Sequence, residues 1–146
     1  VEFNSSTLYR YSTVNIAELM ENGLSIDEVC DVLSGYLEAF IKAMPTGKQN
    51  TFANRTLPCF TYVTIREDQP INMVGAFEKA VTGNGKGYEK DSIDAFLEYT
   101  KKVYENYAEY PKKSFVVCLD DVNTEAERVK MKDLAELVEK EIRNYN

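Results

Sequence analysis

Residues 45–56, PTGKQNTFANRT, gather side chains able to hold an anion: Lys48 behind Gly47, followed by the amides Gln49 and Asn50. A Walker-type nucleotide loop needs a glycine, four residues and then Gly-Lys-Ser/Thr, after a strand and before a helix. Here Gln49 follows Lys48, the upstream glycine is missing, and the preceding residues have helical spacing. This is no nucleotide-binding loop. Two readings stand. Lys48 is solvated on a helix-to-strand connection whose amides fix the turn, or Lys48 and Gln49 touch a nucleic-acid backbone.

Other reactive chemistry is scarce. The chain has no histidine, so the commonest general acid-base, zinc and RNA-cleaving schemes lack their usual residue. Asp120-Asp121 follows a strand without partner carboxylates for a metal and reads as a turn leading to a Thr124–Glu127 capping box. Cys30, Cys59 and Cys118 are an odd number, widely spaced in apolar surroundings, and are expected to be buried, reduced thiols of a cytoplasmic protein. No cofactor or metal is expected. Asn54-Arg55-Thr56 matches a glycosylation sequon without any sign of secretion. Tyr104, Tyr107 and Tyr110 stand near Lys101, Lys102, Lys112 and Lys113, but helical spacing makes Tyr104 and Tyr107 core or rim residues with the lysines solvated.

Composition fits one globular domain. The 146 residues are 44% hydrophobic and 28% charged, enough for a core without disulfides. No apolar run is long enough to cross a membrane. The net charge of −7 argues against broad nucleic-acid affinity, yet a local basic face is sufficient for phosphate contacts. Of the 17 basic residues, five precede residue 67 and twelve follow it.

The elements that would carry these groups alternate in type. TLYRYSTVNI at 7–16 reads as a strand, with a helical turn after it that stops at Gly23. Ser25 and Glu28 have capping-box spacing, and Ile26, Val29, Cys30, Leu33, Leu37, Ile41 and Met44 follow with helical spacing until Pro45 and Gly47. A short strand is expected at 50–54 and a stronger one at 59–67. INMVGAFEKAV, 71–81, reads as a helix, and TGNGKG, 82–87, as a loop. A helix capped by Asp91 or Ser92 runs to about Tyr107. SFVVCLD, 114–120, resembles a central strand, and a last helix spans 132–144. The order β-α-β-β-α-α-β-α predicts an α+β fold, with a ferredoxin-like or RNA-recognition-motif-like antiparallel sheet and packed helices.

Three long phrases carry a resemblance: EFNSSTLYRYSTVNIAEL at 2–19, PTGKQNTFANRTLP at 45–58 and NMVGAFEKAV at 72–81. In order and spacing they resemble the CasC family, the backbone subunits of type I-E CRISPR Cascade. The resemblance extends from about residue 2 to at least Tyr104 and more weakly to the end. It corresponds to the C-terminal part of that family, so an N-terminal strand, a first helix, a helical finger and a thumb hairpin are expected upstream of Val1.

The resemblance implies a non-catalytic, RNA-binding role. Copies of such a subunit stack along the CRISPR guide RNA with other Cascade subunits, hold its backbone, and reach target DNA only through the guide. Protein then reads shape and charge while base pairing reads sequence. In the family the loop after the AFEKAV helix is basic and faces the guide. Here that loop is TGNGKG, so Lys86, assisted by Asn84 and glycine amides, takes the role in part. Lys79 lies in the matched phrase as a helix lysine, Lys48 and Gln49 in the GKQN phrase, and Arg10 between Tyr9 and Tyr11. The tyrosines are expected to pack rather than stack on bases. Two other classes remain beside this one: an RNA-cleaving relative, and a protein-interaction domain without RNA, which the acidic charge would suit.

Overall fold

The computed structural model describes residues 8–42, 58–81 and 88–144 of the chain. The chain forms two compact units. One comprises residues 14–65 and 113–146, and the other comprises residues 1–13 and 66–112.

The larger unit is built around a sheet and three helices. Helix α1 (Ile16–Glu21) opens where Asn15 accepts the Glu18 N–H at 3.1 Å. It ends where Gly23 takes a φ of 97°, a backbone geometry that side chains resist. Helix α2 (Ile26–Lys42) begins with the expected capping box: Glu28 N–H donates to Ser25 Oγ, and Ser25 N–H to Glu28 Oε1, both at 3.2 Å. Strand β1 (Phe60–Ile65) pairs antiparallel with β2 (Lys113–Cys118), from Phe60 opposite Cys118 to Ile65 opposite Lys113. The two-residue strand β3 (Glu127–Arg128) adds to the other side of β2 in parallel, so β2 is central as its apolar run implies.

The final helix of this unit (Met131–Asn144) follows the expected stripe. Its Leu134, Val138 and Ile142 bury together with Val29 and Leu33 of α2 and Phe115 of β2. Ser34 Oγ donates to Glu139 Oε1 at 2.6 Å, and Arg143 pairs with Asp27 at 2.8 Å, so polar contacts also join this helix to α2.

In the smaller unit a short 3-10 helix (Met73–Phe77) packs against a long helix, α3 (Glu89–Asn106). In chain order the Met131–Asn144 helix is α4. The apolar side of α3 buries Phe96, Thr100 and Tyr104.

The α+β class is therefore as expected, with several elements corrected. Described residues 8–15 form no strand, because Tyr9 is held by side-chain contacts instead of a backbone ladder. The 71–81 segment forms only one short 3-10 helix. Asn72 Oδ1 accepts the Val74 N–H at 3.0 Å, which favours a tight turn over continuing α-helix. Helix α3 starts two residues before Asp91, and Ser92 is buried inside it instead of capping it. Thr124 Oγ1 accepts the Ala126 N–H at 3.2 Å, a local turn, while Glu127 joins β3, so no capping box forms there. Of the three free cysteines only Cys30 is fully buried, and burial pushes its thiol pKa up. The strand expected at 50–54 lies outside the described residues.

Leu134 is 1% exposed in the shared core. Leu134→Ala is expected to cost about 2–5 kcal/mol, by transfer and cavity terms together. Val32→Ala, at a 44% exposed position of α2, should cost less than about 0.5 kcal/mol. Urea titration followed by circular dichroism compares the two; equal losses would contradict this core.

Candidate nucleic-acid interface

Tyr9 is the organising side chain of the smaller unit. Its hydroxyl donates to Asn72 Oδ1 at 3.0 Å, across 63 residues of sequence. Its ring lies 5.3 Å from that of Phe77 and 6.4 Å from that of Phe96, both tilted. Burial raises the Tyr9 pKa, opposed in part by a hydrogen bond with the Met73 backbone, so the hydroxyl remains a donor across the physiological range. Asn72 thus accepts from both Tyr9 and Val74, which fixes the start of the 3-10 helix.

This tie brings together two of the three phrases that carried the resemblance. Arg10 follows Tyr9 directly, and Lys79 follows Phe77 by two residues; both are exposed. The packing expected of the tyrosines holds for Tyr9, which serves as an anchor, while Tyr11 is 39% exposed. Lys79 sits just past the 3-10 helix, not on an α-helix. Lys48, Gln49, Asn84 and Lys86 lie outside the described residues.

Charge is patterned around these segments. No Asp or Glu occurs between Glu38 and Glu67 or between Glu78 and Glu89, although the chain holds 24 acidic residues. Those two stretches contain Lys48, Arg55, Lys79 and Lys86. Lys48 and Lys86 thus sit where no neighbouring carboxylate in sequence offsets them, whereas Lys79 directly follows Glu78.

Within the smaller unit, polar contacts join residues 66–68 to residues 109–112. Arg66, whose side chain is 7% exposed, donates to both Asp68 oxygens at 2.7 and 2.9 Å and to the Glu109 carbonyl at 2.6 Å. Its guanidinium also lies over the Tyr104 ring, 5.5 Å from the centroid. The hydrogen bond from Arg66 holds the Asp68 carboxyl below its usual range. Glu67 pairs with Lys112 at 3.5 Å. Tyr104 is buried as its spacing implied, whereas Tyr107 is 92% exposed. The helix ends at Asn106, so Tyr107 leaves the stripe that periodicity assigned to it.

Among the described residues no group of three or more His, Cys, Asp or Glu could hold a metal ion, and no helix is long and apolar enough to cross a membrane.

The chain is thus an α+β fold in which the Tyr9 contacts join two of the matched phrases. The chain belongs to the CT1975-like protein family, whose model matches residues 1–140. It is similar to a chain of a solved CRISPR RNA-guided surveillance complex in a pre-nicking state, with 26% identity and a TM-score of 0.79. That match covers 88% of this chain and 39% of the other. It is also similar to a chain of another CRISPR RNA-guided surveillance complex, at 25% identity and a TM-score of 0.78, covering 88% of this chain and 50% of that one. The chain thus spans half or less of the length of these two solved chains. No curated protein matches it.

The Arg66–Asp68 pair sets a pH dependence. Asp68 has a folded pKa below its unfolded value, so the stability it contributes is present above the unfolded pKa, about 3.9. It is lost as pH falls through the lower folded value. Asp68→Asn is expected to lower the thermal midpoint at pH 7, with the difference from the parent chain shrinking as pH falls below about 4. Scanning calorimetry at stepped pH measures this. A gap that stays constant down to pH 2 would refute the role of Asp68.

Proposed function

We propose that this chain forms part of a non-catalytic, cytoplasmic backbone subunit of a CRISPR Cascade complex of the type I-E kind. Such a subunit holds the backbone of the guide RNA, stacks with copies of itself and other Cascade subunits, and meets target DNA through the guide. The observation that carries this reading is the tie from Tyr9 to Asn72 and Phe77, which fixes the segments bearing Arg10 and Lys79 in one unit. Membership of the CT1975-like family and similarity to chains of RNA-guided surveillance complexes support it.

The physical logic follows from the charge pattern. A chain with a net charge of −7 repels RNA unless its cations stand apart from its carboxylates. The acid-free stretches around Lys48 and Lys86 provide that separation in sequence. Amides and glycines beside them in sequence, Gln49 and Asn84 among them, add neutral donors to phosphate oxygens without reading bases.

RNA affinity of the full natural chain is expected to fall steeply with salt and to be equal for a guide and a scrambled RNA of the same length. Arg10→Ala, Lys79→Ala and Lys86→Ala should each reduce the slope of log affinity against log salt by about one contact. Filter binding at a series of salt concentrations reads these values. Slopes unchanged in all three variants would remove these residues from the interface, and a strong preference for the guide sequence would refute backbone recognition.

Tyr9→Phe deletes one hydrogen bond while keeping the ring packing. The bond is exposed, so the loss of stability should be at most about 1 kcal/mol. RNA affinity should fall with it, because Arg10 and Lys79 lose their common tether. Incubation of labelled guide-length RNA with the full chain should leave it uncut; shortened products would favour the RNA-cleaving alternative.

A further inference from the structure

The C-terminal end of α3 opens into a groove of about 920 Å³, whose lining includes Ile71, Val103, Glu105, Tyr107, Glu109 and Tyr110. Its lining combines apolar and aromatic side chains with acidic ones. Tyr107 is 92% exposed and Tyr110 50% exposed, an uncommon exposure for two neighbouring aromatic residues.

The charged residues that line the groove, Asp68, Glu105 and Glu109, are all acidic. Helix α3 has no basic residue in its last turn, where a Lys or Arg would complement the negative end of the helix dipole. Glu105 stands there instead. Arg66 is engaged with Asp68 and the Glu109 carbonyl, Lys112 with Glu67, and Lys102 with Glu98. The tyrosine ring faces add a further negative potential.

The unit itself shows what such a surface accepts. Arg66 combines a two-point bond to a carboxylate, a bond to a backbone carbonyl at the Glu109 turn, and a position over the Tyr104 ring. Tyr104 in turn lies 5.2 Å from Tyr110, so the cation-binding ring and the groove ring are in contact. Glu105, Glu109, the α3 terminus and Tyr107 repeat the same three kinds of acceptor facing outward.

We propose that this groove docks an arginine-bearing segment of a protein partner, with the guanidinium against Glu105 or Glu109 and over Tyr107, and an apolar neighbour on Ile71 and Val103. A planar, weakly hydrated guanidinium suits paired carboxylate and ring contacts better than an ammonium does. Nucleic acid is repelled from the same surface, so the occupant is protein. This assignment does not depend on the RNA-binding role proposed above.

The test uses the full chain and a fluorescein-labelled decapeptide bearing two arginines beside a leucine, with a counterpart in which glutamines replace the arginines. Anisotropy titration is expected to show binding of the arginine peptide alone. Glu105→Gln/Glu109→Gln, and separately Tyr107→Ser, should each weaken it about tenfold, with unchanged circular dichroism. Glu21→Gln/Glu136→Gln removes the same charge from exposed positions on other helices and should leave affinity unchanged. Equal weakening by that control would reduce the effect to net charge and overturn the site. Equal binding of the two peptides, or displacement of the arginine peptide by an oligouridine strand, would overturn it as well.

Discussion

Phe115 is the contact on which the larger unit depends. It stands on the central strand, 1% exposed, in one cluster with Val29 and Leu33 from α2 and Leu134, Val138 and Ile142 from α4. Neither helix could bury its stripe alone, since an amphipathic helix needs a facing apolar surface. Three sequence-distant stretches must therefore assemble together. Around that core, α1 and the β1 side chains Val63 and Ile65 complete the cover. The exposed ion pair between Asp27 and Arg143 adds a polar contact between the two helices.

The smaller unit solves its problem differently. It has a modest core and relies on specific polar contacts: the Tyr9 hydroxyl on Asn72, and Arg66 spread over Asp68, the Glu109 carbonyl and the Tyr104 ring. Directional bonds of this kind contribute little net energy each, but their geometry favours one arrangement of the partners over others. That construction suits the role proposed for Arg10 and Lys79, which stand on the tied segments.

Long elements were legible in the sequence because burial there follows a single period. The stripe of α2, the capping box of Ser25 and Glu28, the central run of β2 and the final helix all follow local rules. Reading failed where a distant residue decides. Tyr9 and its neighbours have the alternation of a strand, but Asn72, Phe77 and Phe96 capture the ring and no ladder forms. Asn72 also truncates the helix expected at 71–81, through a bond that propensity does not foresee. Tyr107 kept helical spacing on paper but falls one residue beyond the helix. Of the candidate interface, sequence singled out Arg10 and Lys79, and only the fold revealed that Tyr9 and Asn72 hold them.

The smaller unit's main stretch, from Arg66 to Lys112, is inserted between two strands that pair with each other, and the last rung of their ladder joins Ile65 to Lys113. The chain therefore leaves and re-enters the sheet at adjacent points. An insertion with neighbouring ends imposes almost no geometric demand on its host, so its length and content can change without disturbing the ladder. The arrangement is that of a cassette: evolution, or an engineer, could exchange the stretch between Ile65 and Lys113 for another and keep the sheet that carries it.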